Sequence, residues 1–225
     1  TIYVTKHFLQ NRYPTNGYSE YASNVEIDEC STSVLDKHKN VIINKTKIKF
    51  GMIGNLNVKY KGFDTAIKAF SILKDKIENF ELLLVGGGDS RYLQNLIEKY
   101  DLSDHIKILG LLKSGNEIYD FLDTLSIYLH PSKQEGLPRS LIEAMSRGCP
   151  TLSSSVAGIP ELLNQQYLHQ PGDYKQLSKQ IENYSTDKEK LLLMANENFI
   201  KAKEYTNSKL NKRRSEFFKN FRDSI

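Results

Sequence analysis

The sequence predicts an α/β domain, a Rossmann-like, doubly wound parallel sheet with helices on both faces. Three observations predict it. From about Lys47 onward, short apolar runs alternate with segments of helical period. Phe80–Val85 (FELLLV) reads as a buried strand and ends in three consecutive glycines, a turn that needs backbone freedom. The chain has 225 residues, 39% hydrophobic and 26% charged, which suffices for a globular core. Strands alternating with helices of this length argue for right-handed crossovers on a parallel sheet.

Each element follows in order. Residues 1–46 stand outside the rhythm; they are rich in Asn, Tyr, Ser and Lys and read as a helix plus linker. Lys47–Ile53 reads as the first strand and Gly54–Lys61 as a loop. Gly62–Lys76 places Phe63, Ala66, Ile67, Phe70 and Leu73 at helical spacing. After the strand Phe80–Val85, Ser90–Tyr100 reads as a helix, Ile106–Leu109 as a strand and Gly115–Leu122 as a short helix. Leu125–His130 is the next strand. The helix Pro138–Arg147 has Pro138 at its first position and Gly148 as its stop. Thr151–Ser154 is strand-like, Gly158–Glu161 opens a short helix, and the chain from Asp173 is mainly helical. Ligands of such sheets bind outside the carboxyl ends of the strands. That singles out loops 54–61, 86–89, 110–113, 131–137 and 154–158.

Charge and cysteine usage narrow the function classes. The net charge is +4, yet residues 201–225 carry eight Lys/Arg against Glu204, Glu216 and Asp223, so the body before them is close to −1. The body is not generally basic, and no nucleic-acid partner is expected. The basic tail suits either a solvated helix face or an anionic membrane surface. Its apolar stripe would be Leu210, Phe217, Phe218, Phe221 and Ile225. No apolar run approaches the roughly 20 residues of a membrane span. Cys30 and Cys149 lie far apart and near no histidine at ligand spacing, so no metal site is expected and a reducing, cytoplasmic setting is.

The chemistry-bearing segment is Glu135–Glu143. Glu135 sits on a loop at a strand's carboxyl end, and Glu143 lies in the second turn of the helix that follows. The first amides of that helix, near Arg139 and Ser140, suit a phosphate. A carboxylate accepts two hydrogen bonds from a vicinal diol. The helical wheel leaves an alternative, since Arg139, Glu143 and Arg147 at i,i+4 spacing also form an ordinary surface ladder. The loop Gly54–Gly62 carries Lys59 and Lys61, either a diphosphate partner or solvated lysines; it is no Walker A loop. Gly86-Gly87-Gly88-Asp89 lacks GxGxxG and reads as a tight turn. His130 ends a strand as a lining of the same cleft.

Several of these segments together resemble the C-terminal domain of retaining glycosyltransferases of GT-B architecture, in glycosyltransferase family 4. Glu135–Glu143 matches the family's E-x7-E. Gly148-Cys149-Pro150-Thr151 and Gly158-Ile159-Pro160-Glu161 resemble its G-x-P-V and G-G-x-P-E. Gly54…Lys61-Gly62 resembles G-R-L…K-G, Ile106–Gly110 resembles V-x-F-x-G, and Pro171-Gly172-Asp173 the late P-G-D. The matches run in the family's order across residues 47–177.

The resemblance implies roles. Glu143 would bind ribose hydroxyls, and Glu135 donor-sugar hydroxyls. Lys61, with the backbone of Gly136 and Leu137 and the helix start, would hold the diphosphate. Gly54 and Asn55 would border it, and Ile108 and Leu109 would lie against the base. Glu135 and Lys61 would be the catalytic groups, with no metal or other cofactor. Asn55 stands where the family has an arginine; an amide does not supply that charge, and Lys59 is the nearest substitute. The implied organisation is the remnant of a first domain plus linker (1–46), a nucleotide-sugar-binding domain (47–200) and a basic amphipathic helix (201–225). The acceptor, a glycan or lipid-linked sugar, would bind the missing first domain, leaving this piece inactive alone. Two other function classes fit: a non-catalytic nucleotide-sugar binder, and an interaction domain whose basic tail docks on a membrane.

Overall fold

The computed structural model describes residues 1–222. Ile225, assigned above to the apolar stripe, lies outside the described residues. The elements are β1 (Ile2–Tyr3), α1 (Phe8–Arg12), β2 (Glu20–Tyr21), α2 (Thr32–Asn44), β3 (Ile48–Ile53), α3 (Phe63–Leu73), β4 (Phe80–Val85) and α4 (Arg91–Lys99). They continue with β5 (Ile106–Gly110), α5 (Asn116–Asp123), β6 (Ile127–His130), α6 (Arg139–Ser146), β7 (Thr151–Ser154) and β8 (Leu168–His169). Three helices close the chain: α7 (Tyr174–Ser185), α8 (Lys188–Ala202) and α9 (Asn207–Arg222).

Among the described residues, six strands form one parallel sheet in the order β5-β4-β3-β6-β7-β8. Numbered from β3, this is 3-2-1-4-5-6, the doubly wound order, with its reversal between β3 and β6. Strand parity explains why helices cover both faces. Phe50, Met52, Leu82, Leu84, Ile127 and Leu129 point into one core with α3, α7 and α8. Leu83, Val85 and Tyr128, their neighbours one residue along, point into a second core with α5 and α6. In the first core the Phe70 ring meets Phe50 at 4.9 Å and Phe80 at 5.1 Å. Each such pair adds about 0.5–1.5 kcal/mol beyond burial.

Boundaries follow local chemistry. Gly62, at φ +76°, ends the turn Lys59–Lys61 and starts α3 at Phe63. Asp173 caps α7 by accepting from Gln176 N at 2.9 Å, so the P-G-D stretch has a structural task. Asp187 caps α8 in the same way, at 3.0 Å from Lys190 N.

Two expectations are corrected, and one strand is added. Pro138 is the N-cap of α6, in extended backbone (ψ 123°), and the helix begins one residue later, at Arg139. The two-residue strand β8, too short to show a period, completes the sheet edge. Residues 1–46 hold more than a helix plus linker: β1 and β2 pair in parallel as a small second sheet, and α2 is a second helix. Leu35 and Ile42 of α2 enter the same core as β3 and α3, so that core reaches upstream of Lys47.

Candidate active site

At the carboxyl ends of β3 and β6, where the strand order reverses, lies a cleft of about 560 Å³. Gly54, Lys61, Glu135, Gly136, Leu137, Pro138, Arg139, Ser140 and Glu143 line it. Close backbone approaches build it. Gly62 packs on the carbonyl of Pro131, which a Cβ would meet at 2.0 Å. Only glycine tolerates both this contact and the positive φ. The contact sets the loop carrying Lys61 against the loop carrying Glu135, 74 residues later. Lys133 N and Ser132 Oγ both donate to the Tyr60 carbonyl, at 2.7 and 2.9 Å, and lock the two loops together. The glycine turn after β4 supports the floor: Leu56 N donates to Gly87 O at 2.9 Å, and a Cβ on Gly86 would strike Gly54 O.

Lys61 Nζ donates to Glu135 Oε1 at 2.8 Å, and His130 Nε2 lies 3.1 Å from the same oxygen. Burial alone would raise the Glu135 pKa, but the hydrogen bonds and charge of His130 and Lys61 outweigh it and hold the group down at about 2. The ionised Glu135 therefore takes a proton-bearing Nε2. Behind it, Tyr128 is fully buried, 3.5 Å from His130 Nδ1, and donates to Ser140 Oγ at 2.9 Å. Burial pushes the Tyr128 hydroxyl well above its ordinary value. The chain Ser140–Tyr128–His130–Glu135–Lys61 thus links α6 to the first loop. His130, which the sequence suggests only as a cleft lining, is a direct partner of Glu135.

Glu143 is different. It is half-buried on the cleft wall, and among the described residues no hydrogen bond or ion pair engages its carboxylate. Burial raises its pKa, offset in part by the charge of Arg139. The surface ladder does not form, because Arg147 is taken: its Nε donates to Asp123 Oδ1 at 2.7 Å.

Three expected residues stand apart from the cleft lining. The Asn55 side chain accepts from Asn57 N at 2.9 Å, folding into its own loop beside Gly88. Ile108 packs on the core, and Leu109, one residue along, is 46% exposed on the outer face of the edge strand. The wall beside them comes instead from Leu112, Ser114 and Ile118. Leu112 falls in a loop the sequence marks; its choice over Leu109 depends on strand register. Val4 and Asn24 also line the cleft, and no local signal marks them. A long-range clamp holds Val4 there: the Glu161 carboxylate accepts from the amides of Lys6, His7 and Phe8 at 2.6, 3.1 and 2.7 Å.

Strand order, cleft position and lining define a Rossmann-type domain with its ligand cleft at the topological switch point, the architecture of one half of a GT-B protein. The structure of Anabaena HepE in complex with UDP-glucose superposes with a TM-score of 0.78 at 19% identity, over 97% of this chain and 63% of that one. Protein CapJ of Staphylococcus aureus is 37% identical over 181 residues, 80% of this chain and 44% of CapJ. The amylovoran biosynthesis glycosyltransferase AmsK of Erwinia amylovora is 41% identical over 110 residues, 46% of this chain and 27% of AmsK. The chain thus spans less than half the length of either relative. The profile of the glycosyl transferases group 1 matches residues 34–202, and the chain belongs to that family.

Proposed function

We propose that this chain holds the nucleotide-diphospho-sugar donor of a retaining, hexosyltransferase-type enzyme that builds surface polysaccharide or glycoconjugate. The observation that carries the reading is Glu143, an unpartnered, half-buried carboxylate facing a cleft that also offers a lysine and a helix start. A buried carboxylate without partners is costly, and a vicinal diol satisfies it. Glu143 binds the ribose hydroxyls. Glu135, anchored through Oε1 by Lys61 and His130, offers Oε2 to the donor sugar. Lys61, the amides of Gly136 and Leu137 and the start of α6 face the diphosphate and offset the charge that grows on it as the glycosyl bond breaks. No metal is required in this scheme, so a chelator should leave turnover unchanged. The names of two relatives support the direction, one described with UDP-glucose and one with amylovoran biosynthesis. The acceptor, a glycan or lipid-linked sugar, meets sequence that the relatives carry beyond the matched length. The setting is cytoplasmic, with α9 able to touch the membrane's inner face. Among the described residues, no helix is long and apolar enough to cross one.

Titration of the chain with UDP, GDP and ADP tests the site. Saturable binding to one of them, lost in Glu143→Ala, is expected; no binding to any sinks the proposal. For the catalytic roles, donor hydrolysis by a chain of the relatives' full length should collapse in Lys61→Ala and Glu135→Ala. Full activity after Lys61→Ala would remove the diphosphate role.

A further inference from the structure

A diphosphate brings about two negative charges into the cleft, and the cleft's own charges must be counted against them. Two cations line it, Lys61 and Arg139; two carboxylates line it, Glu135 and Glu143. Lys61 is already matched by Glu135 at 2.8 Å. The neighbouring cations are spent elsewhere. Lys59 Nζ lies 5.1 Å from the Tyr92 ring centroid, Lys133 pairs with Asp64 at 3.0 Å, and Arg147 is bound to Asp123. Asn55 carries no charge, and its side chain is held in its own loop. Arg139 alone among the lining cations has no hydrogen bond or ion pair among the described residues, although its charge acts on Glu143, one turn along α6. It is the first residue of α6 and is exposed. Helical side chains lean toward the helix N-terminus, and that end of α6 lines the cleft beside Gly136, Leu137 and Pro138.

We infer that Arg139 is the second diphosphate-binding cation of this site, supplied by the start of α6 instead of by the first loop. The inference rests on the nucleotide-diphosphate reading proposed above. A guanidinium suits this task because its planar fork grips two phosphate oxygens at once. It also explains how a cleft with Asn55 in its first loop still matches a doubly charged ligand: the positive charge comes from the opposite wall.

The test compares nucleoside diphosphates with their nucleosides (UDP and uridine, GDP and guanosine, ADP and adenosine) by calorimetric titration of the chain. Wild type is expected to bind one diphosphate more tightly than its nucleoside. Arg139→Ala should weaken that diphosphate about ten- to a hundred-fold and leave the nucleoside unchanged, and Arg139→Lys should fall in between. Undiminished diphosphate binding by Arg139→Ala overturns the inference, as does an equal loss for diphosphate and nucleoside. Wild type binding none of the six overturns the nucleotide reading itself, a result distinct from either.

Discussion

Toward the amino end of α6, Arg139 and Glu143 line the cleft and neither makes a hydrogen bond or ion pair through its side chain among the described residues; toward its carboxyl end, the Ser146 hydroxyl and the Arg147 guanidinium are both bound within the protein. Arg147 donates to Asp123, and its guanidinium lies 5.1 Å from the Tyr119 ring centroid. Gly148 turns the chain at φ +70°, and Gly148 N and Cys149 N close on the last carbonyls at 3.0 Å each. Arg147 lies four residues from Glu143 and eight from Arg139, all at positions that i,i+4 spacing puts on one face. What separates them is competition. Asp123 captures Arg147, so the ladder that i,i+4 spacing allows is broken and Glu143 keeps only the nearby charge of Arg139. A helix face can thus be structural at one end and open to ligand at the other.

The widest separation between the ends should appear in Glu143→Ala. Two charge-assisted hydrogen bonds to a diol are lost, so nucleotide affinity should fall about a hundred-fold or more. The thermal midpoint should not fall, because no protein contact to the carboxylate is removed. Titration and a melt on the same preparation check both halves. The mirror-image variant comes next. Arg147→Ala leaves Asp123 without its partner and should cost about 1–3 kcal/mol in urea unfolding, while nucleotide affinity stays within about two-fold. If Arg147→Ala weakens nucleotide as much as Glu143→Ala, the two ends are not separate and the comparison fails.

The same competition explains how far the sequence could be read. Strands and helices from residue 47 onward were legible because apolar period survives in each element. The meeting of Lys61 and Glu135 was legible only as a resemblance; its physical cause, Gly62 packed on Pro131 O, is tertiary. Strand β8 was missed because two residues carry no period. The family resemblance puts Ile108 and Leu109 against the base, but register turns one to the core and the other to the surface, and the cleft wall beside them is made by Leu112 and Ser114. Val4 and Asn24 were invisible because a carboxylate more than 150 residues away fixes the segment that brings Val4 there. Asn55 could be recognised as lacking charge, yet its inward turn toward Asn57 depends on loop conformation.

The smallest effect is also the most discriminating, because its sign differs between the two carboxylates. Glu135 is held at about 2, below the roughly 4.3 of an unfolded glutamate. Its ionised form therefore stabilises the fold; that contribution is complete above the unfolded value and drains away as pH falls toward about 2. Glu143 is shifted upward by burial. Its ionised form costs stability, and the cost is relieved as pH falls through its raised value. Glutamine variants isolate each contribution in urea unfolding. At pH 7, Glu135→Gln should be less stable than wild type by about 1–2 kcal/mol, and Glu143→Gln more stable by less than about 1 kcal/mol. On acidification the Glu143→Gln advantage should vanish first, while the Glu135→Gln deficit should persist down to the unfolded glutamate value. Equal signs would mean that Glu143 has found a partner in solution, and the open end of α6 would then be as closed as the other.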